Sequence, residues 1–255
     1  MSIPKIIHYC WFGRNPLPKS VEKCIASWRK YCPDYRIIEW NESNFDLNCC
    51  PYCAAMLEKK KWAFLSDYAR LKIVYEQGGV YLDTDVELVR SLDPLVEQGA
   101  YMGFENADRV ATGLGFAAEA GHPFLRENMA YYEELTDFEE LKACPHITTD
   151  ILEAHGLIRD RKKLQKIAGM TVYPEDYFCP KDERSGLTAK TQNTYSIHHF
   201  DASWFEESWK KGQKKRWRQE KLGYILKTPN RALIKLMGKK RYDRIKSFVK
   251  GRNVV

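Results

Sequence analysis

Gly78-Gly79-Val80-Tyr81-Leu82-Asp83-Thr84-Asp85 is the stretch whose reading decides the fold of this chain. A helix-patterned segment stops at the paired glycines, a short apolar strand follows, and two carboxylates arrive together. Side chains two apart on a strand point the same way, so the spacing predicts that Asp83 and Asp85 face one cation at the strand's carboxyl end. Hard oxygen ligands of this kind suit Mg²⁺ or Mn²⁺, whose open positions substrate phosphates fill. An isolated Asp-x-Asp is common by chance, and its bland alternative is a strand-to-loop turn whose aspartates bond local N–H groups. The flanks decide between the two.

Ile6 to Phe12 is a mostly apolar run bounded by Pro4 and Gly13, which predicts a buried opening strand over Ile3 to Phe12. Val21, Cys24, Ile25 and Trp28 recur at offsets of three and four and predict a helix from Ser20, its expected cap, to about Tyr31. Tyr35 to Trp40 reads as a second strand. Phe64, Tyr68, Leu71 and Tyr75 predict one long helix from about Cys53 to Gln77, ended by Gly78 and Gly79 in a left-handed cap. Strand, helix, strand, helix, strand in this order implies crossover connections, and therefore an α/β fold with a mostly parallel sheet flanked by helices. Ligands of such sheets bind beyond the carboxyl ends of the strands, where Asp83 and Asp85 fall. Farther along, Tyr101 to Glu105, Thr112 to Ala117, Thr171 to Tyr173 and Tyr195 to His199 read as strands. Pro123 to Leu135 and Thr149 to His155 read as helices.

The 255 residues, 44% hydrophobic and 13% aromatic, suffice for one well-packed domain with an appendage and argue against disorder over most of the length. No run resembles a secretory leader or approaches the ~20 apolar residues of a membrane span, which makes a cytoplasmic location the expectation. The eight cysteines are then expected reduced. Cys50-Pro51-Tyr52-Cys53, next to Cys49, has the two-residue gap of zinc and redox sites, yet no second pair or nearby His pair completes a tetrahedral set, so ordinary free thiols are expected.

Charge is uneven. Residues 205–255 hold 17 Lys and Arg against 4 Asp and Glu, a net +13, while the first 204 residues carry a net −6. We therefore expect a domain over 1–205 and a basic, helical extension over 206–255, split by Thr228-Pro229. Lysines and arginines interleaved with Trp209 and Trp217 suit anionic lipid headgroups, so a peripheral position on the inner face of the plasma membrane is expected; a solvated helix is the plain alternative, and no nucleic acid is expected.

Three separated segments carry a resemblance: Ile6-Ile7-His8-Tyr9-Cys10-Trp11-Phe12-Gly13; Asp67-Tyr68-Ala69-Arg70 leading into Gly78 to Asp85; and Ile197-His198-His199-Phe200-Asp201-Ala202-Ser203-Trp204. Together, over about residues 3–205, they resemble glycosyltransferase family 32, in the branch of bacterial capsular polysaccharide synthesis proteins related to yeast initiating mannosyltransferases. The resemblance implies a GT-A fold, Mn²⁺ or Mg²⁺, a nucleotide-diphosphate sugar as donor, and retaining transfer of a hexose to a glycan or lipid-linked oligosaccharide acceptor.

Carried over residue by residue, Asp83, Asp85 and His198 are the expected metal ligands; adjacent strand residues face opposite ways, so only one of His198 and His199 is expected at the metal, and the resemblance, which implies a histidine after an apolar strand residue, favours His198. Asp85, Asp83 and Arg70 are the expected catalytic set. Trp11, a flat face for a nucleobase, stands with His8, Tyr81, Asp67, Arg70, Ser203 and Trp204 as the expected donor-binding set. For Asp67 and Arg70 the plain alternative is an i, i+3 ion pair, and for Trp11 a core position. Gly113-Leu114-Gly115 and Thr148-Thr149-Asp150 are weaker candidates for sugar contacts. Alternatives in function are a toxin-like transferase acting on a protein, or a non-catalytic protein that binds nucleotide sugars or membranes.

Overall fold

The computed structural model describes residues 2–105, 108–183, 185–201, 212 and 215–219. The chain forms two compact units, Met1–Asp182 with Thr188–Trp204, and Glu183–Leu187 with Phe205–Val255. Most of the basic segment expected to be helical lies outside the described residues, and so do Ser203 and Trp204.

The larger unit opens with β1 (Ile6–Cys10), α1 (Lys19–Tyr31), β2 (Arg36–Trp40), α2 (Pro51–Glu58), α3 (Trp62–Gln77), β3 (Gly79–Tyr81) and β4 (Val86–Leu88). It continues through α4 (Asp93–Val96), β5 (Tyr101–Glu105), β6 (Arg109–Val110), a 3₁₀ turn at Thr112–Leu114 and β7 (Phe116–Ala118). It closes with α5 (Pro123–Glu133), α6 (Cys144–Ala154), β8 (Gln165–Ile167), β9 (Met170–Tyr173), α7 (Glu175–Phe178) and β10 (Ser196–His198).

The main sheet has the order β2-β1-β3-β7-β5-β9-β8, with β6 added to β5. β2, β1 and β3 are parallel to one another, as are β5 and β9, while β7, β8 and β6 pair antiparallel to their neighbours. The sheet is therefore mixed, its parallel half being the strand, helix, strand, helix, strand segment read from the sequence. One apolar cluster packs Leu65, Leu71 and Val74 of α3 with Phe124 and Met129 of α5. A second packs Ile7, Tyr9 and Val80 against Val21, Cys24, Ile25 and Trp28 of α1.

Two local expectations are corrected. The helix predicted from Cys53 to Gln77 is two helices, because Lys60 adopts φ +52° and breaks the run between Glu58 and Trp62. Ser20 lies inside α1 instead of capping it; Pro18 takes the cap position and makes no side-chain cap bond. At the other end of α3 the glycine reading is borne out by backbone geometry. Gly79 has φ +110°, and a Cβ there would lie 2.9 Å from the Ile6 carbonyl oxygen and 3.0 Å from His8 Nε2. Only glycine lets β3 approach β1 at this point.

A separate two-stranded ribbon pairs β4 with β10, placing His198 opposite Val86. α1 pins that ribbon. The Trp28 indole donates to the Val86 carbonyl at 2.7 Å, and the Ser27 hydroxyl accepts from the Leu88 amide at 2.9 Å. Trp28 is wholly buried, so Trp28→Ala should leave a cavity and an unpaired carbonyl and cost about 3–5 kcal/mol of stability. Urea unfolding of the variant checks this; a loss under ~1 kcal/mol would show that the ribbon does not depend on α1.

Candidate functional site

β1, β2 and β3 run parallel, and their carboxyl ends lie side by side, with Ile7 and His8 opposite Val80 and Tyr81. Strand β3 ends at Tyr81, and the amide of Val86 then closes a turn on the carbonyl of Asp83 at 3.0 Å. Asp83 and Asp85 therefore converge through this turn and not through strand alternation, which corrects the reason given by the spacing while keeping the two acids together. The β4–β10 ribbon adds the third group, because His198 Nε2 lies 3.2 Å from Asp85 Oδ1. Ligand-capable atoms of Asp83, Asp85 and His198 all fall within 4.8 Å of one another. His199 turns the other way and pairs with Glu87 at 2.8 Å.

Each acid has one oxygen occupied by protein and another turned toward the cluster. Asp83 Oδ1 accepts from the Tyr81 hydroxyl at 2.9 Å and pairs with the Arg70 guanidinium at 3.2 Å. Its Oδ2 faces Gly113, where an added Cβ would come within 2.5 Å. Asp85 Oδ2 accepts from the Asp201 amide at 3.0 Å, leaving Oδ1 to His198.

Arg70 is almost wholly buried, its side chain 4% exposed. It also reaches Asp67 at 3.1 Å, the Ser66 carbonyl and hydroxyl, Thr112 Oγ1 at 3.2 Å and Cys144 Sγ at 3.7 Å, while its Cζ lies 5.1 Å from the centre of the Tyr81 ring. The guanidinium is thus spent on protein groups. It acts on the turn by holding Asp83.

Electrostatics follow from this packing. Burial pushes Asp67 up to about 6 against the pull of Arg70. Burial also raises Asp83, with Arg70 opposing. Burial works against ionisation of Asp85 too, but the charge and hydrogen bond of His198 and the Asp201 amide outweigh it and hold the carboxyl at about 2. His198 is raised: burial lowers it, and the Asp85 and Asp83 charges more than compensate. Asp85 is thus held ionised beside an imidazole whose hold on a proton it strengthens, and a divalent cation taking that imidazole as a ligand would have to displace the proton.

Two carboxylates and an imidazole fit such a cation. Adjacent ligand atoms of an octahedral ion with ~2.1 Å bonds lie about 3 Å apart, close to the 3.2 Å between His198 Nε2 and Asp85 Oδ1. The buried Nδ1 of His198 has no protein partner among the described residues.

Other expected donor contacts are placed differently. His8 is fully buried, accepting at Nδ1 from the Trp40 indole at 3.1 Å and facing the Gly78 carbonyl with Nε2 at 2.9 Å; burial lowers it to about 4. It braces the glycine turn. Tyr81, 1% exposed, likewise orients Asp83 and has no surface to offer a ribose. Thr148 and Thr149 lie within α6, bonding Asn128 and the Val110 amide, and Asp150 pairs with Lys142 and Arg159.

Trp11 is half-buried and lines a cleft of about 420 Å³ with Arg14, Asn15, Glu39, Asn41, Glu42 and Ser43, beyond the ends of β1 and β2. Its indole N–H donates to the Asn15 carbonyl at 2.6 Å. Sequence reasoning missed Ser66, Thr112 and Cys144, and it named Gly113 for a sugar contact, whereas here Gly113 faces Asp83. Only Ser66 carried a local signal, one helical turn before Arg70.

The family described as "Glycosyltransferase sugar-binding region containing DXD motif" matches residues 18–102, which include both acids. That stretch, a third of the chain, is similar to the DXD-containing sugar-binding region of glycosyltransferases. It is 34% identical over 133 residues to inositol phosphoceramide mannosyltransferase 3 of Schizosaccharomyces pombe, covering 49% of this chain and 35% of that protein. It is 28% identical over 137 residues to inositol phosphoceramide mannosyltransferase 1 of the same organism, covering 48% and 40%. The chain thus spans well under half the length of these relatives.

Among solved structures, the PaToxG glycosyltransferase is similar with a TM-score of 0.49 and 20% identity, over 60% of this chain and 69% of that one. Galactosyltransferase LgtC in complex with donor and acceptor sugar analogs gives 0.42 and 13%, over 84% and 95%. Neither assigns a role to a residue here.

The room at Gly113 generates a prediction about the DXD turn. Gly113→Ala should leave the fold intact, since its backbone is not left-handed, but displace Asp83 and weaken Mn²⁺ binding at least about tenfold. Mn²⁺ titration by calorimetry is the check; wild-type affinity would mean that Asp83 is not a ligand.

Proposed function

We propose that the chain is a metal-dependent glycosyltransferase of GT-A type that moves a hexose, with retention, from a nucleotide-diphosphate sugar to a glycan or lipid-linked acceptor in the assembly of a bacterial surface polysaccharide such as capsule. The observation that carries this reading is the meeting of Asp83 and Asp85, on a turn inside the DXD region, with His198 brought beside them by the β4–β10 ribbon. The names of the S. pombe relatives make a mannose donor the first to test. The proposed location is cytoplasmic, with residues 206–255 resting on an anionic membrane surface. Among the described residues, no helix is long and apolar enough to cross a membrane.

Asp83, Asp85 and His198 would hold the cation, Mn²⁺ or Mg²⁺, with the imidazole favouring Mn²⁺. When bound, such an ion offsets the negative charge that builds on a departing diphosphate. The chain's own residues do the positioning. Arg70 and Tyr81 fix one oxygen of Asp83, and the Asp201 amide fixes one of Asp85. Trp11, with its N–H already taken by Asn15, offers its ring face to a nucleobase, and Glu39, Asn41 and Glu42 supply acceptors for base or ribose hydroxyls in the same cleft. The departing phosphate takes the acceptor's proton in a retaining route, so no enzymic base is assigned.

Asp85→Asn keeps the shape and removes the charge, and it should cut Mn²⁺-dependent transfer from a panel of nucleotide-diphosphate sugars at least about a hundredfold. Undiminished turnover in this variant, or in excess chelator, overturns the metal-dependent reading. A second expectation concerns pH. His198 binds a proton more firmly than an ordinary imidazole and must release it to become a ligand, so affinity for the cation should rise with pH, by up to about tenfold per unit below the raised pKa. Calorimetry in buffers of differing ionisation enthalpy should count one proton released per ion near pH 6.5; binding without proton release removes His198 from the ligand set.

A further inference from the structure

Away from the DXD turn, three thiols meet where the loop after β2 enters α2. Cys50 occupies the position before the helix with an extended backbone, φ −157°, and Pro51 opens the helix, whose first turn carries Cys53 back beneath that loop. Cys49 supplies the third sulfur. The sulfurs of Cys49, Cys50 and Cys53 all lie within 4.8 Å of one another, and those of Cys49 and Cys53 are 3.7 Å apart. Cys50 and Cys53 are buried and Cys49 is half-buried, so the cluster has one side open to solvent.

These spacings discriminate between two uses of cysteine. A disulfide needs sulfurs ~2.05 Å apart, well inside the observed 3.7 Å. A tetrahedral zinc with ~2.3 Å bonds to sulfur has neighbouring sulfurs about 3.8 Å apart, which the Cys49–Cys53 distance already matches. We propose that Cys49, Cys50 and Cys53 form a three-thiolate site for a thiophilic divalent cation of the zinc class, with a water completing the tetrahedron on the Cys49 side.

Loading breaks three S–H bonds, forms three metal–sulfur bonds and releases the protons to solvent; no electron is transferred and no oxidant is needed. Three thiolates around a divalent ion leave one net negative charge, and Lys72 of α3 interacts electrostatically with Cys49. Tyr68, also on α3, packs in the same cluster as Cys50 and Cys53 and is the neighbour of Asp67. The ion would therefore clamp the entry of α2 at the flank of the helix that holds the DXD turn. The third ligand of this proposed site is the residue immediately before the Cys-x-x-Cys motif, not a second motif or a His pair. The donor chemistry also separates the two sites: soft sulfur here, oxygen and one imidazole at Asp83, Asp85 and His198.

The test uses the full chain, reduced and stripped of metal by chelator, then titrated with Cd²⁺ as a spectroscopic stand-in for Zn²⁺. The expected result is a thiolate-to-cadmium charge-transfer band saturating at one equivalent, removed by competing Zn²⁺, with a rise in melting temperature on loading. Cys49→Ser, which alters the least buried of the three, should weaken binding at least tenfold, and Asp85→Asn should leave the band unchanged. Absence of the band from protein that circular dichroism shows to be folded overturns the proposal. So does a full-strength band in Cys49→Ser, or chain that takes up no metal and instead loses two hydrogens in mass with Cys50 and Cys53 joined.

Discussion

A buried guanidinium is the constraint on which the rest of this molecule depends. Taking the charge of Arg70 out of water is costly unless it is paired and fully hydrogen-bonded, and the chain meets that demand from five directions: Asp67 and Ser66 on its own helix, Asp83 in the DXD turn, Thr112 in the 3₁₀ turn, and Cys144 at the start of α6. Beyond α3 itself, the partners come from three other parts of the fold, so satisfying one charge fixes α3, the β3–β4 turn, the 3₁₀ turn and α6 against one another. The turn inherits its geometry from that requirement. Asp83 holds one oxygen toward Arg70 and Tyr81 and keeps the other toward Gly113, where there is no side chain to collide with it.

Much of this architecture was legible before any coordinates. The apolar runs around Ile7, Ile37 and Val80 marked the three parallel strands, and the glycine pair marked the end of α3, because burial and left-handed backbone leave strong local signals. The break at Lys59-Lys60-Lys61 left none: lysine is a good helix former, the apolar period runs on through it, and only tertiary packing selects φ +52° at Lys60. His8 and Tyr81 show a related limit. A polar ring in a strand that ends at a binding site suggests a ligand contact, yet both rings point into the protein, where His8 braces Gly78 and Tyr81 braces Asp83.

The supporting groups were least legible of all. Thr112 and Cys144 lie 42 and 74 residues after Arg70 in the chain, and nothing in their own neighbourhoods announces a shared task. The cysteine cluster shows a different limit: its members are neighbours in sequence, and only the fold of the helix entry brings the sulfurs of Cys49 and Cys53 to 3.7 Å. Motif reading thus found the groups that carry chemistry. Geometry was needed for the groups that aim them.

The β4–β10 ribbon has a temporal corollary. Asp83 and Asp85 leave the ribosome more than a hundred residues ahead of His198 and the Asp201 amide, so a nascent chain carries the two acids as a half-made centre until β10 arrives and pairs. Assembly of the ion site is in this way postponed until β10 has been made, when the sheet that must support it already exists.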